Sequence, residues 1–282
     1  MKRVSSLAGC MLALSLPMGT PAFAQEMELP KASEPNSLTL GLGAAWAPSY
    51  EGSDDYIIVP AGLAFGKIDG FAYYTRATTF YFDLLRDPYD ARVDLAFGPA
   101  ANLRVDRVSR IEDARVKALG ELDYAIETGA FASVAVNRVL HEYDTVTARI
   151  SWLHDVTDTH DSFIVTPALE YGTPLSRKTY AGLQVSADYV GEDFAATYYG
   201  VTPAGAAASG LSPFTLDEGW KNVRVSLLGS YKLQGDLTTG GLGLFGIASY
   251  ASMLGDFKES PLVSEAGDAD QFFVGGGLTY TF

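Results

Sequence analysis

The 282-residue chain holds three histidines, His141, His154 and His160. Imidazole titrates near neutral pH and is the commonest metal ligand. Two of them crowd with Asp155, Asp158 and Asp161 into one short polar stretch. Hydrolytic chemistry needs a base near an acid, an activated nucleophile or a metal-bound water. The stretch could supply a His–Asp pair or a small metal site. It is equally a polar loop, and no serine stands in a recognisable nucleophile context. Glu51, Asp54 and Asp55 form a second acidic group that could attract a cation, although carboxylates in a loop are ordinarily just solvated. We therefore assign no catalytic, cofactor-binding or metal site, and read the chain as non-enzymatic with no cofactor.

The elements that carry these residues are strands. Along Arg92–Val105, one face holds Val93, Leu95, Phe97, Pro99, Ala101, Leu103 and Val105. The other holds Arg92, Asp94, Ala96, Gly98, Ala100, Asn102 and Arg104. Successive strand side chains point to opposite faces, so one face is wholly apolar and the other polar or small. The pattern recurs at Leu38–Trp46, Ile57–Phe65, Val146–Trp152, Phe163–Tyr171, Thr179–Tyr189 and Val223–Tyr231. For the second of these, Ile57, Val59, Ala61, Leu63 and Phe65 are the expected lipid face. Most runs last 9 to 14 residues. A tilted transmembrane strand needs about 9–11, whereas soluble strands average about 5–6. Length therefore favours a membrane barrel over a soluble sandwich. Its lipid face would be apolar and its lumen polar. Arg92, Arg104, Arg149, Arg224, Asp94, Asp188 and Glu170 would point inward and either pair across the lumen or line a small pore.

Aromatics gather near strand ends: Trp46, Tyr50, Tyr56, Trp152, Tyr171, Tyr189, Trp220, Tyr231, Tyr250 and Tyr280. That is where interfacial girdles belong. The last strand alternates Phe272, Val274, Gly276, Leu278, Tyr280 and Phe282 with Gln271, Phe273, Gly275, Gly277, Thr279 and Thr281. A terminal Phe282 with Tyr at −2 and Leu at −4 resembles the signal read by the barrel assembly machinery of the outer membrane.

The N-terminus fits that destination. Lys2 and Arg3 precede an apolar run from Val4 to Met18, and Ala22-Phe23-Ala24 follows. This is the plan of a cleaved signal peptide over residues 1–24. The run is shorter than the roughly 20 residues of a spanning helix. Leu7-Ala8-Gly9-Cys10 also fits a lipoprotein site, but the apolar run continues past Cys10. Cleavage removes the single cysteine and two of the 20 basic residues, leaving 18 against 34 acidic ones, a net charge of −16. That charge excludes a nucleic-acid partner. It is compatible with a lipopolysaccharide-rich leaflet bridged by divalent cations.

Eleven strands can be marked, near 38–46, 56–66, 70–84, 91–105, 121–137, 143–153, 162–173, 178–190, 219–232, 240–253 and 271–282. Single-chain bacterial barrels have even numbers. The stretches 70–84 and 121–137 are long and change register, so one of them hides the error. Twelve strands is preferred and ten is the alternative. Short turns are expected at Gly66–Gly70, Arg86–Asp90, Pro174–Lys178 and Gln234–Thr239. Longer loops are expected at Asp106–Gly120, Gly191–Glu218 and Gly255–Asp270. Residues 25–37 read as a periplasmic tail, and 38–282 as the barrel. Thr202-Pro203 is an N-cap followed by proline at the first helical position, and Gly210 can close the turn in the left-handed conformation. A short helix is therefore expected in the longest loop.

Three stretches have a further meaning together. They are Trp46-Ala47-Pro48-Ser49-Tyr50-Glu51-Gly52-Ser53-Asp54-Asp55-Tyr56, then Tyr198–Pro203 with Ala206–Leu211, then Ser260-Pro261-Leu262-Val263. In this combination the chain resembles the MipA/OmpV family of Gram-negative outer-membrane proteins, from about Leu38 to Phe282. The resemblance implies a scaffold joining a lytic murein transglycosylase to a bifunctional murein synthase. Contacts would lie on residues 25–37 and the short periplasmic turns. Other members of the family are surface antigens or adhesins, which implies outer-loop contacts instead. The family carries no catalytic motif.

Overall fold

The computed structural model describes residues 36–86 and 90–282. The signal peptide and most of the proposed tail lie outside the described residues. The described chain forms a closed antiparallel barrel of twelve strands. They are β1 (Ser37–Pro48), β2 (Tyr56–Ile68), β3 (Phe71–Arg76), β4 (Thr79–Arg86), β5 (Val93–Arg104), β6 (Ala125–Asn137), β7 (Thr145–Asp155), β8 (Phe163–Pro174), β9 (Thr179–Val190), β10 (Gly219–Lys232), β11 (Gly241–Met253) and β12 (Asp270–Thr281). Each strand pairs with its sequence neighbours, and β12 closes on β1 through Leu40 opposite Tyr280 and Trp46 opposite Val274. Closure leaves no sheet edge along the seam, as a lipid environment demands.

The twelfth strand comes from the stretch 70–84. It is two strands, β3 and β4, joined through Ala77-Thr78, with Ala77 at φ 50°. No glycine or proline marks that turn, and aromatic and β-branched residues run through it, so the sequence looks continuous. The other suspect is a single strand beginning at Ala125. The turn between β2 and β3 is Asp69-Gly70, both at positive φ. That is the two-residue hairpin connection that matches strand twist.

Short turns at one end and long loops at the other set the orientation. Periplasmic connections lie at 69–70, 90–92, 138–144, 175–178 and 233–240, the remainder of the expected Arg86–Asp90 turn lying outside the described residues. Outer connections lie at 49–55, 77–78, 105–124, 156–162, 191–218 and 254–269. Expected lipid faces are exposed on β5, β7, β9, β10 and β12. Strand β2 is the correction. Its register sets Ile58 opposite the lipid-facing Trp46 and Gly62 opposite Leu42. Ile57, Val59, Ala61, Leu63 and Phe65 therefore face the lumen. Both faces of β2 are apolar, so alternation alone does not orient it. Arg92 is also corrected: it lies exposed in a periplasmic turn, just before β5.

Aromatics ring the barrel ends. Trp46 stacks on Tyr56 with ring centroids 3.9 Å apart, and Tyr189 meets Trp220 edge-on. Tyr280 packs on Phe282 at the periplasmic end. Tyr50 departs from the expected girdle, being buried among the outer loops.

Candidate functional site

The outer loops contain five short helices where one was expected. They are α1 (Ala114–Ala118), α2 (Glu192–Tyr199), α3 (Pro203–Ser209), α4 (Gly255–Glu259) and α5 (Pro261–Ser264). Helix α3 starts as its sequence predicts: Thr202 Oγ1 accepts from the Gly205 N–H, proline follows, and Gly210 closes it at φ 77°. Helix α5 repeats the device with Ser260 as N-cap and Pro261 after it. Helix α1 is capped by Asp113, whose carboxylate accepts from the Arg115 and Val116 N–H groups.

These segments pack into a cap. One apolar cluster joins Phe194, Ala195, Tyr198 and Tyr199 of α2 to Ile164, Val190, Leu216, Met253, Phe257 and Val263. A second joins Tyr50, Ile111, Val116, Val201, Leu211, Leu262 and Ala266. Four separate loops thus share two cores above the barrel wall. Tyr50 fastens the first loop to the last, donating to Leu262 O at 3.1 Å and Ala266 O at 2.5 Å. Burial, with Asp113 nearby, pushes its hydroxyl pKa upward, so it stays a donor at any physiological pH. Ser260 Oγ donates to Tyr199 O at 2.6 Å, tying the last loop to α2. All three stretches behind the family resemblance converge here.

Beneath the cap lies a network of charges. Glu51 enters from the first loop and accepts from Lys221 Nζ at 2.9 and 2.7 Å. Arg104 and Arg224 stand 3.7 and 3.6 Å from the same carboxylate, and the Tyr199 hydroxyl donates to it at 3.2 Å. Lys221 also faces Asp188 at 3.4 Å. Arg104 Nε donates to Glu127 Oε1 at 2.6 Å, His160 Nε2 lies 3.2 Å from the same oxygen, and Asn102 donates to Oε2 at 2.7 Å. Arg104 lies over the rings of Phe194 and Tyr198. One carboxylate from the β1–β2 loop thus links β5 to β10 across the lumen mouth. Burial raises the Glu51 pKa, but Lys221, Arg104 and Arg224 outweigh it and hold it near 2. Asp106 accepts the Glu51 N–H at 2.8 Å. Its own pKa is raised by burial and by the Glu51 charge.

A second network crosses lower down. Arg149 donates to Glu170 at 2.9 Å, and Arg76 reaches the same carboxylate from β3 at 3.1 Å. Arg149 lies over Tyr81, which packs with Tyr74 and Phe131. Of the expected lumen charges, Arg104, Arg149, Arg224, Asp188 and Glu170 are in these networks. Glu51, Lys221 and Glu127 were not anticipated. Glu51 looked like part of a solvated acidic loop, yet it turns inward, away from Asp54 and Asp55.

The histidine stretch does not form one site. Asp155 accepts from the N–H groups of Thr157, His160 and Asp161 and so knots the loop. His160 points inward to Glu127, while His154 faces the Ser162 carbonyl at 2.6 Å. His141 lies at the other end of the barrel, with Nε2 2.8 Å from Thr173 Oγ1. Among the described residues no three His, Cys, Asp or Glu side chains come together as a metal site.

A closed twelve-stranded barrel with a lipid-facing apolar belt and aromatic girdles is an outer-membrane β-barrel protein. The chain belongs to the MipA family, described as MltA-interacting protein MipA, whose model matches residues 40–282. No curated protein matches. Solved structures with some likeness include outer-membrane expressed OmpT of Vibrio cholerae, at 10% identity over 89% of this chain and 99% of that one, TM-score 0.37. The Pseudomonas putida toluene transporter TodX shows 9% identity over 89% and 90%, TM-score 0.35. A Pseudomonas aeruginosa FadL homologue shows 10% over 87% and 88%, TM-score 0.32. Likeness at this level carries no functional argument.

Proposed function

We propose that the protein is a sealed, non-enzymatic outer-membrane barrel that serves as a binding scaffold. Its partners would be a murein hydrolase and a murein synthase at the periplasmic face. The observation that carries this reading is the cap with its charge network. Four loops, two apolar clusters and ion pairs between β5 and β10 converge at the outer mouth, where a pore would need an open path. A barrel blocked in this way acts through its surfaces. The family description names an interaction with MltA, which favours the periplasmic surface over the outer one.

Pull-down from solubilised envelope tests the partner. Murein hydrolase and synthase should co-purify with the tagged barrel under conditions that keep other envelope complexes intact. Their absence would defeat the scaffold reading, and recovery of outer-surface ligands instead would favour an adhesin. The terminal Phe282 fits entry through the barrel assembly machinery. Removing it should leave the chain unassembled in the periplasm.

A further inference from the structure

One side of the wall is built unlike the rest. Strands β3 and β4 have 6 and 8 residues, whereas the other ten have 11 to 14. Strand β2 pairs with β1 along its whole length but with β3 only from Phe65 to Ile68. Above Phe65, β2 therefore runs on without a backbone ladder on its β3 side. A cleft of about 330 Å³ opens at this point, lined by Leu40, Gly41, Leu42, Gly62, Leu63, Ala64 and Thr75.

The lining comes from both faces of the wall. Leu40 and Leu42 belong to the lipid belt, Leu42 being 77% exposed. Leu63 belongs to the lumen face, where its side chain lies over Gly41. The lumen surface beyond is apolar and small: Ile57, Val59 and Ala61 on β2, with Gly43 and Ala45 opposite on β1. The edge itself is adapted to hydrocarbon. Thr75 Oγ1 of β3 donates to Ala64 O at 3.3 Å and accepts from Ala64 N at 3.0 Å, closing both backbone groups by a side chain instead of a strand ladder. Pro60, which has no N–H to leave unpaired, sits further along the same edge, as proline does where strands lack a neighbour. The Trp46–Tyr56 stack marks the outer interface at the far end of β2, so the cleft lies below it, at hydrocarbon depth.

We propose that this cleft seats an acyl chain of a membrane lipid, which enters from the bilayer between β2 and the β3–β4 hairpin and reaches the lumen face at Leu63. The occupant follows from where the cleft opens. Its mouth is part of the lipid-facing belt, and its walls are aliphatic. This gives the barrel a lipid site separate from the cap and independent of the scaffold reading.

The test uses the folded barrel in vesicles of phosphatidylcholine carrying a mid-chain diazirine. After irradiation, adducts are mapped by peptide mass spectrometry. Leu63 should be labelled as strongly as Leu40, although it belongs to the lumen face. Leu228, a lumen-facing leucine on the fully paired β10, should stay unlabelled. In a second arm, Ala64→Phe fills the cleft and should suppress labelling at Leu63 while leaving Leu183 on β9 unchanged. Labelling of Leu63 no greater than Leu228 overturns the proposal. So does labelling of Leu63 that persists in a folded Ala64→Phe barrel. If that variant fails to fold, the comparison of Leu63 with Leu228 in the native protein decides alone.

Discussion

At the residue scale, Lys221 and Glu51 hold the outer mouth together. Lys221 is almost fully buried and contacts two carboxylates, Glu51 and Asp188. Removing one member of a buried pair leaves an uncompensated charge, at a cost of about 3–5 kcal/mol. Lys221→Ala should therefore lower the unfolding midpoint of the barrel markedly, followed by its heat-modified migration on gels. Lys221→Arg, which keeps the charge, should lower it less. Equal losses in the two variants would show that charge is not what matters. Acid provides a second handle. The Glu51 pKa falls from an ordinary 4.5 to about 2 on folding. A depressed carboxylate stabilises the fold fully above 4.5, and that contribution is lost as pH falls toward 2. Asp106 is raised and has the opposite sign, so its protonation relieves part of the strain early in the descent. Amides of 191–218 should lose hydrogen-exchange protection between pH 4.5 and 2, after correction for intrinsic rates. A flat profile would contradict this role for Glu51.

At the element scale, the cap depends on a few side-chain-to-backbone ties between loops. Tyr50→Phe removes the hydroxyl that serves two buried carbonyls. Leaving such groups unpaired costs about 1–3 kcal/mol. Protease cleavage within 255–269 should accelerate in that variant while the strands stay resistant. Unchanged cleavage would place the tie elsewhere. This scale also separates what the sequence discloses from what it conceals. Alternation in Val93–Leu103 is visible because one face is apolar and the other is not. The orientation of β2 is concealed because both its faces are apolar. The β3–β4 turn is concealed because Ala77-Thr78 carries no turn residue. Helix α3 is legible because Thr202, Pro203 and Gly210 are local signals. Its neighbour α2 has no side-chain N-cap and was not anticipated. The network is least legible of all: Glu51 and Lys221 stand 170 positions apart, and only closure of the barrel brings them together.

At the scale of the whole molecule, the barrel is a wall of lipid-facing strands with a packed cap over its outer end. The cap buries two apolar cores, and beneath it Glu51 ties β10 to β5 through Lys221 and Arg104. The proposed scaffold role requires that this arrangement seal the lumen, because a sealed barrel has only its surfaces to offer. Deleting α2 and α3 together removes four of the ten buried residues of one cap cluster, including the two rings over Arg104, and should convert a silent barrel into a conducting one. The most direct test is planar-bilayer recording of the purified native protein beside that deletion variant. A sealed barrel predicts no steady unitary steps from the native protein and steps from the variant. Steady unitary conductance from the native protein would contradict the account.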